Sequence, residues 1–409
     1  MPSMLVVVPS FPVVTQTFVL REIVSIRDAG WEVHVLTCST GDATAWDQAK
    51  HFGISQEHVH VLNWRTCKLF SIRTVMELSK PIARKAADFA HYGFTLGLRR
   101  LNYFHQLSHV KAIQSVDIVH CHFTEAAADT GVGLAQILKR PLTILAHDSF
   151  LEKASATGLR KIQRAASIVF CVSKGWVKVW EKATGSNDKL QYMPNSIDID
   201  EFESAATMMA EKSREVVPRT LRAITIGHFH GGKRQGDLVR AAALLKEEGV
   251  CLNCTMVGDG PERREVEALA VKYGIETQVV FLGSLTHREV REQLVHADVL
   301  VHCSQQESFG IVIIEAMGAS LPVVASHTIG ADDSVLENVT GHLYKVGDIG
   351  TLARRLADLA KDRQRLHSLG LAGRKRVEKL FAWDNRMAQM FNEWQSVIRI
   401  HRQNLRTRL

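Results

Sequence analysis

Short apolar runs alternate with longer amphipathic segments along the whole chain. In the first half, the short runs have the length of β-strands and are apolar at nearly every position, which is typical of strands buried on both faces of a parallel sheet. Helix-length segments lie between them, so this half is predicted to be a doubly wound α/β domain. The predicted strands are Leu5–Pro9, Glu32–Leu36, Asp117–His120, Leu142–Ala146, Ser167–Val172 and Leu190–Met193.

The second half repeats this plan and predicts a second doubly wound domain. A polar stretch at Asp198–Thr220, which carries Pro218, is predicted to contain the hinge between the halves. From Gly350 onward the sequence is helical and rich in arginine, with Trp383 and Trp394 as expected anchors. The predicted strands of this half are Leu221–Ile226, Leu252–Val257, Val279–Leu282, Asp298–His302 and Pro322–Ala325.

The 409-residue chain is 46% apolar and 23% charged, an ordinary globular composition for two domains. Its seven cysteines are odd in number and lie mostly in apolar runs, which favours reduced thiols and a cytoplasmic protein. Met1–Pro9 has no basic residue ahead of its apolar patch, so it is predicted to be a core strand and not a signal peptide. No membrane-spanning helix is expected, because the nearest candidate, Phe309–Ser326, contains Glu315 and Pro322.

The net charge of +7 is unevenly distributed. Between Trp64 and Lys111, nine basic residues stand against two acidic ones and are interleaved with aromatic side chains. This mixture suits an anionic membrane surface, and a solvated helical face over a core is the alternative. No nucleic-acid recognition motif accompanies the charge, so nucleic acid is not an expected partner.

Residues 298–318 are the most informative stretch for chemistry. A buried strand gives way to a polar loop that ends in Glu307, and an apolar helix is predicted to begin at Phe309 or Gly310. The amides and the macrodipole of a helix start bind a diphosphate, and Gly310 permits its close approach. Glu307 is expected to meet a neutral polyol, while Glu315 stands in an otherwise apolar helix and needs a partner such as a ribose diol.

Three further loops of this half follow strands. Lys233 lies in a basic, glycine-rich loop after the first strand, where it is either a neutralising charge for a leaving diphosphate or a solvated lysine. Gly258-x-Gly260 matches a dinucleotide fingerprint only in part, since Arg263 stands where a third glycine belongs, and a tight turn is the alternative. The loop at Gly283–Leu285 could present backbone groups to a base.

In the first half, His147 directly follows a predicted strand. It is a candidate polar contact or proton handler, and a structural histidine is the alternative. His120 and His122 close another strand, but zinc needs more ligands than these two. The opening loop carries hydroxyls that could touch a sugar or cap the following helix, namely Ser10, Thr15 and Thr17.

Two other motifs have a metal-site spacing. Cys251-x-x-Cys254 lies in a strand-like run with no second cysteine pair, so a structural role is predicted. Asp198-x-Asp200 opens the predicted hinge, where a loop and helix-cap role is favoured over metal binding. The sequence therefore predicts no metal site.

Taken together, these residues resemble family 4 of the retaining glycosyltransferases, which have the GT-B fold. The resemblance covers nearly the whole chain, and its most specific part is the E-x7-E element from Glu307 to Glu315. The segments Gly258–Arg263, Pro194–Asp198 and Val172–Ser173 are similar to further family segments. The opening residues 10–22 resemble the N-termini of exopolysaccharide and colanic-acid type members.

This resemblance implies two Rossmann-like domains facing across a cleft. Residues 1–200 would form an acceptor-binding domain and residues 201–381 a donor-binding domain. Residues 382–409 would form a helix that crosses back to the N-terminal domain. No metal or other cofactor is implied.

The resemblance also assigns roles to particular positions. Glu307 and the amides of Phe309 and Gly310 would hold the donor sugar, and Glu315 would bind the ribose. The amides of Ile311 and Val312, together with Lys233, would contact the diphosphate, and His147 the sugar ring near the reacting carbon. The remaining donor-binding candidates are Gly227, His228, Arg234, Gly258, Gly260 and Leu285. His228 stands where the family usually has arginine, and Arg234 replaces a glycine, so Arg234 could supply the missing charge.

The implied activity is transfer of a hexose from a UDP- or GDP-sugar to a glycan or polyprenyl-diphosphate-linked acceptor, with retention of configuration. It would serve synthesis of a bacterial exopolysaccharide or other cell-surface polysaccharide in the cytoplasm, at the inner face of the plasma membrane. Two alternatives stay open at this point: a nucleotide-sugar epimerase on the same fold, and a non-catalytic subunit that binds nucleotide sugar.

Overall fold

The computed structural model describes residues 1–13, 16–41, 43–61, 111–124, 126–147, 155–212 and 220–407. Its packing divides the chain into two units. The first unit comprises Met1–Phe170, Trp180–Gln191 and Met390–Leu409, and the second comprises Cys171–Val179 and Tyr192–Gln389.

The first unit is built on a seven-stranded sheet in the order β3-β2-β1-β4-β5-β6-β7. Its strands are β1 (Ser3–Ser10), β2 (Glu32–Ser39), β3 (Val59–Val61), β4 (Ile118–His122), β5 (Leu142–Ala146), β6 (Ile168–Cys171) and β7 (Leu190–Tyr192). The pairs β2–β3, β1–β2, β1–β4 and β4–β5 are parallel. The helices are α1 (Thr17–Asp28), α2 (Ala43–His51), α3 (Lys111–Gln114), α4 (Ala126–Leu138), α5 (Ala156–Ala165) and α6 (Lys174–Thr184), the last of which begins within the second unit.

The second unit contains a six-stranded, wholly parallel sheet in the order β10-β9-β8-β11-β12-β13. Its strands are β8 (Leu221–Ile226), β9 (Leu252–Val257), β10 (Val279–Gly283), β11 (Val299–His302), β12 (Val323–Ser326) and β13 (Gly341–Tyr344). The helices are α7 (Glu203–Lys212), α8 (Gly236–Glu247), α9 (Arg263–Lys272), α10 (His287–His296), α11 (Ile311–Gly318), α12 (Ala331–Ser334), α13 (Ile349–Lys361), α14 (Arg363–Leu380) and the start of α15 (Trp383–Arg406).

The predicted strands are confirmed to within a few residues, but the sequence pattern missed β3 and β13. Both are edge strands, and neither is a continuous apolar run: His60 lies in the middle of β3, while β13 begins with Gly341 and His342. An edge strand has only one neighbour, so it is less enclosed than a central strand and need not show the unbroken apolar pattern.

After a first passage at Cys171–Val179, the chain returns to the second unit at Tyr192, ahead of the stretch predicted to contain the hinge. The physical reason is close packing of this segment on α11. A Cβ atom added to Gly318 would lie 2.8 Å from Ile197 Cδ1 and 3.5 Å from Phe202 Cγ. Part of the predicted hinge is thus held against the second unit.

Both sheets reverse their strand order beside the first strand of the unit. In the first unit the reversal lies between β1 and β4, and in the second between β8 and β11. Ligands of doubly wound sheets bind outside the carboxyl ends of the strands at this point, because the flanking loops diverge there. We therefore expect a ligand site of the second unit to lie at the loops after β8 and β11.

The end of α15 belongs to the first unit and packs there through aromatic residues. Trp394 is fully buried, with its ring centroid 6.1 Å from that of Trp31 and 5.2 Å from that of His120. Further along the helix, Arg402 Nη2 lies 2.6 Å from Asp117 Oδ1. Burial by itself raises the pKa of Asp117, but hydrogen bonds from Arg402 and the Ser3 amide outweigh it and hold the pKa below its ordinary value.

Replacing Trp394 with alanine should destabilise the first unit by about 3–5 kcal/mol, because the change leaves a cavity in a closed aromatic core. The free energy of unfolding from urea titration measures the loss. Ile400→Ala is the matched control, since Ile400 stands on the same helix but is 51% exposed. Similar losses for the two variants would contradict this account of α15.

Candidate active site

The loops after β8 and β11 meet at the reversal point of the second sheet. Lys233 Nζ donates to Glu307 Oε2 at 2.6 Å, and the Gln305 amide donates to the Gly232 carbonyl at 2.7 Å. The two loops therefore share one edge of the sheet. The loop lysine is therefore held by a carboxylate and is not simply solvated.

Glu307 is kept ionised by its neighbours. Its side chain is 12% exposed, and His302 Nε2 lies 3.3 Å from the same Oε2 atom that receives Lys233. Burial alone raises the pKa of Glu307, but the Lys233 ammonium and the His302 imidazole outweigh it and hold the pKa well below its ordinary value. His302, at the end of β11, was not singled out from the sequence, although its position at the carboxyl end of a buried strand was the available signal.

Helix α11 begins at Ile311, within two residues of the predicted start, and Gly310 is its N-cap. Gly310 has φ of 83°, a left-handed conformation that glycine adopts without strain, and an added Cβ would lie 2.8 Å from Ile313 Cδ1. A glycine N-cap brings no side-chain acceptor to the first amides of the helix. The amides of Ile311 and Val312, which are half-buried residues, thus open an electropositive helix end beside Lys233 and Glu307.

The loop ahead of α11 is fixed from outside by residues that the sequence did not reveal. The Gly330 amide donates to the Glu307 carbonyl at 3.0 Å, and Ser334 Oγ donates to the Phe309 carbonyl at 3.3 Å. A Cβ atom at Gly330 would lie 2.4 Å from the Phe309 nitrogen, so only glycine fits. The only sequence signal was a glycine soon after a predicted strand.

Glu315 already has a protein partner. Its side chain is 10% exposed, and His287 Nε2 lies 2.7 Å from Glu315 Oε1. Arg291 donates to His287 Nδ1 at 2.7 Å, so the remaining ring proton is on Nε2 and faces Glu315. The partner that Glu315 was expected to need is therefore supplied by His287 of α10, and burial of this carboxylate does not by itself require a ribose diol.

Gly258 and Gly260 serve backbone packing at the ends of β8 and β9. A Cβ atom at Gly258 would lie 2.1 Å from the Gly227 carbonyl oxygen, and one at Gly260 would lie 2.4 Å from the Phe229 carbonyl oxygen. Their φ values are 127° and 153°. The tight-turn alternative explains both glycines without any ligand. Leu285, just beyond β10, is half-buried.

Arg234 and His228 differ in their surroundings. Arg234 Nε donates to Asp237 Oδ2 at 2.8 Å and its Nη2 to Oδ1 at 3.2 Å, so its charge is engaged by a carboxylate of α8. A phosphate that contacted Arg234, as the sequence suggested, would have to compete with Asp237 for the guanidinium group. His228 is exposed, and its ring centroid lies 5.9 Å from that of His230.

His147 of the first unit is buried at the end of β5. Its ring packs 4.6 Å from that of Phe18 and 5.4 Å from that of Phe123, and its Nε2 lies 3.2 Å from His122 Nδ1. The histidine is thus oriented on several sides by neighbouring side chains.

The opening loop differs from expectation in its helix cap. Gln16, not a threonine, occupies the N-cap of α1, and Thr17 is the first helical residue. Ser10 Oγ donates to the Ser39 carbonyl at 3.4 Å. Thr15 lies outside the described residues.

The structural interpretations of two metal-like motifs are supported. Asp198 Oδ1 accepts from the Asp200 amide at 3.2 Å as the cap of a short helical turn. Cys251 is exposed while Cys254 is buried, and both are free thiols, as are the other cysteines of the described ranges. His120 and His122, by contrast, have a third potential metal ligand beside them that the sequence did not reveal. Glu22 of α1 joins them, and the three ligand atoms lie within 4.8 Å of one another.

The basic and aromatic stretch from Trp64 to Lys111 falls almost entirely outside the described residues. Within the ranges that the structure describes, none of the helices is both long and apolar enough to cross a bilayer.

Glu307 should make the free energy of unfolding depend on pH. Its pKa in the folded chain lies below the ordinary value of 4.5, so the stabilisation is complete above that value and is lost as the pH falls through the folded pKa. We expect the stability difference between the wild type and Glu307→Gln to narrow from about pH 5 to about pH 3, as followed by urea titration. A difference that stays constant or widens in acid would contradict the assignment. Glu292→Gln, at a residue 54% exposed, is the control and should leave the pH dependence unchanged.

Two family models match most of the chain between them. The model for Glycosyltransferase Family 4 matches residues 15–201, and the model for Glycosyl transferases group 1 matches residues 211–376. The second match contains Lys233, Glu307 and Glu315, and the first contains His147.

Individual relatives agree with these matches. The chain is 25% identical to N-acetyl-alpha-D-glucosaminyl L-malate synthase of Bacillus anthracis, over 72% of this chain and 78% of that protein. It is 22% identical to the amylovoran biosynthesis glycosyltransferase AmsK of Erwinia amylovora, over 91% and 94% of the two chains. Among solved structures, Anabaena HepE in complex with UDP matches with a TM-score of 0.75 and 20% identity, over 97% of this chain and all of that one.

The structural likeness establishes the GT-B fold, and the family matches agree with it over both units. The first carboxylate of the E-x7-E element, the glycine-capped helix start and the loop lysine all lie at one sheet edge of the second unit. The chain is therefore a glycosyltransferase of family 4, with the GT-B fold.

Proposed function

We propose that this chain transfers a hexose from a nucleotide-diphosphate sugar to an acceptor hydroxyl, with retention of anomeric configuration and without a metal ion. The observation that carries the proposal is the contact between Lys233 and Glu307 beside the start of α11. It combines a cation, an ionised carboxylate and helix amides at one edge of the sheet. A diphosphate with a polyol attached is the ligand that these groups match.

The donor would bind with its diphosphate against the amides of Ile311 and Val312, where the helix dipole and the Lys233 ammonium favour negative charge. Glu307, ionised and acceptor-only, would accept hydrogen bonds from sugar hydroxyls. The ribose hydroxyls would donate to Glu315, which retains acceptor capacity beside its contact with His287. His147 would contact the sugar ring near the reacting carbon.

The proposed reaction is a front-face displacement. The bond from the anomeric carbon to the phosphate oxygen breaks, the acceptor oxygen bonds to that carbon from the same face, and the acceptor proton passes to the departing phosphate oxygen. Helix amides and Lys233 stabilise the negative charge that grows on the phosphate. No side-chain nucleophile takes part.

The substrates are proposed from relatives and from the charge pattern. HepE binds UDP, and AmsK serves amylovoran biosynthesis, so a UDP- or GDP-hexose donor and a glycan or polyprenyl-diphosphate-linked acceptor are proposed. The setting would be cell-surface polysaccharide synthesis in the cytoplasm. The basic aromatic stretch suits peripheral attachment to an anionic membrane.

A donor panel tests this proposal. The full chain is incubated with UDP- and GDP-hexoses in the presence of a chelator, with and without lipid-linked acceptors, and released nucleoside diphosphate is measured. Release that depends on acceptor, with an α-linked product from an α-linked donor by NMR, is expected. Conversion of the donor without acceptor would indicate an epimerase instead. Binding without turnover for the whole panel would indicate a non-catalytic subunit.

Lys233→Met should lower kcat/KM by about 100-fold or more, because a charge contact to the leaving group acts mainly in the transition state. Lys246→Met is the matched control, since Lys246 lies in the same unit and donates to the Gly274 carbonyl away from the site. Steady-state kinetics of both variants check the prediction. A loss of only a few-fold in Lys233→Met would remove this lysine from the mechanism.

Glu307→Gln should impair sugar transfer more than nucleotide binding, because its carboxylate is assigned to the sugar and not to the diphosphate. Binding of free nucleoside diphosphate by calorimetry, set beside kcat/KM for transfer, separates the two effects. Equal losses in both measurements would reassign Glu307 to the nucleotide.

A further inference from the structure

A buried chain of polar side chains crosses the core of the first unit and ends at His147. Glu22 on α1 is 1% exposed, and its Oε1 lies 3.2 Å from Nε2 of His120 and 3.2 Å from Nε2 of His122, both on β4. Both histidines are fully buried. On its other side, His122 Nδ1 lies 3.2 Å from His147 Nε2. Four titratable groups therefore stand in a row in a site from which water is excluded.

The positions of the protons follow from what each group can do. Neither Nε2 of His120 nor Nε2 of His122 has hydrogen-bond geometry to Glu22, but each lies 3.2 Å from its Oε1. A ring-nitrogen lone pair at that distance would be repelled by the carboxylate, so both Nε2 atoms are expected to carry protons. A neutral His122 with its proton on Nε2 presents Nδ1 as an acceptor, and His147 must then donate from Nε2. His120 follows the same rule, since its Nδ1 can accept from Thr143 Oγ1 at 2.8 Å. Glu22 thereby determines the tautomer of His147, two contacts away.

The ring geometry suits this arrangement. The planes of His122 and His147 differ by only 7°, with centroids 5.4 Å apart, and an in-plane N–H···N hydrogen bond joins rings that are nearly coplanar. The rings of Phe18 and Phe123 pack against His147 and restrict its rotation. Phe123 itself has φ of 71°, an unusual left-handed conformation for a bulky residue. Local strain of this kind is concentrated at functional sites.

We propose that Glu22 is a positioning residue: through His122 it holds the His147 ring in place with the proton on Nε2 and an acceptor at Nδ1. In that state His147 receives a hydrogen bond from a hydroxyl and does not compete with it as a donor. The consequence for catalysis rests on the proposed function, in which His147 meets the donor sugar. The tautomer itself does not depend on that function.

A metal ion is the other occupant that Glu22, His120 and His122 would suit, and the arrangement with a proton on each Nε2 atom is favoured. Within the described residues the cluster offers three ligand atoms, whereas a closed structural zinc site has four. A metal would also require unprotonated Nε2 atoms on both histidines, which reverses the tautomer of His122 and leaves its Nδ1 with a proton to donate. The two arrangements therefore predict opposite proton positions on His122.

The first experiment reads these protons directly. Full-length protein labelled with 15N-histidine is examined by NMR, and the His122 and His147 signals are assigned from their loss in His122→Phe and His147→Phe. The 15N shifts should place the proton on Nε2 in both rings of the wild type, and Glu22→Gln should disturb this state. A wild-type His147 with its proton on Nδ1 would overturn the proposal. So would a stoichiometric metal, by elemental analysis, that is lost in Glu22→Gln.

The second experiment measures transfer. Glu22→Gln should lower kcat by about 10- to 100-fold, the scale expected when a reacting group is misplaced, while binding of nucleoside diphosphate stays unchanged. Glu32→Gln is the matched control: Glu32 lies in the same unit, is 58% exposed and contacts His34 Nε2 at 3.1 Å, apart from the buried chain. Equal effects of the two substitutions on kcat would overturn the positioning role.

His122→Asn supplies the conservative rescue. Asparagine places its Oδ1 near the position of histidine Nδ1, so it can still accept from His147, whereas phenylalanine fills the space without an acceptor. We expect His122→Asn to retain at least tenfold more activity than His122→Phe. Adding Glu22→Gln to His122→Asn should cost little more, because the link to His147 is already cut. Additive losses would overturn the relay through His122.

The two experiments separate this proposal from the proposed function. If the wild type transfers no sugar from any donor, the proposed function fails, and the NMR measurement still decides the tautomer of His147. If transfer is observed while the tautomer is the opposite one, only the positioning role fails.

Discussion

The ion pair between Lys233 and Glu307 is the interaction on which the second unit's site depends. It joins two loops that follow neighbouring strands at the reversal of the sheet, and it holds a cation and a carboxylate beside the start of a helix. Because both groups are largely removed from water, each needs the other: a lone buried charge would be expensive. His302 Nε2 lies 3.3 Å from the same carboxylate oxygen, and together with Lys233 it holds the pKa of Glu307 below its ordinary value in this partly buried setting.

At the rest of the second unit's edge, main-chain segments pack too closely to leave room for a side chain. Gly330 packs against the loop ahead of α11, and Gly258 packs against Gly227, each so closely that a methyl group would overlap main-chain atoms. Rigid backbone at these points fixes where the helix amides lie. A site that stabilises charge through amides depends on this rigidity, since the amides must be in place before the charge develops.

In the first unit, buried side chains hold the candidate site histidine in position. Its buried row of Glu22, His120, His122 and His147 joins α1, β4 and the end of β5, with Trp394 of the last helix packed on His120. In a neutral imidazole one ring nitrogen donates a hydrogen bond and the other accepts one. The tautomer of one histidine therefore determines the tautomer of the next histidine in the row. Close backbone packing in one unit and a buried row of interacting polar side chains in the other are two routes to preorganisation.

The sequence by itself determined the central strands of the two sheets and the helix start near Gly310, and it singled out Glu307 and Lys233 as candidate site residues. These follow from local chemistry: unbroken apolar runs make buried strands, and a glycine between a polar loop and an apolar run begins a helix. Only the tertiary structure decided which distant side chains meet. Glu22 and His122 are far apart in the chain, as are His287 and Glu315, and no periodicity relates them. Such partners are brought together by the order of strands and the packing of helices, which is why the buried histidine row could not be found before the fold was known.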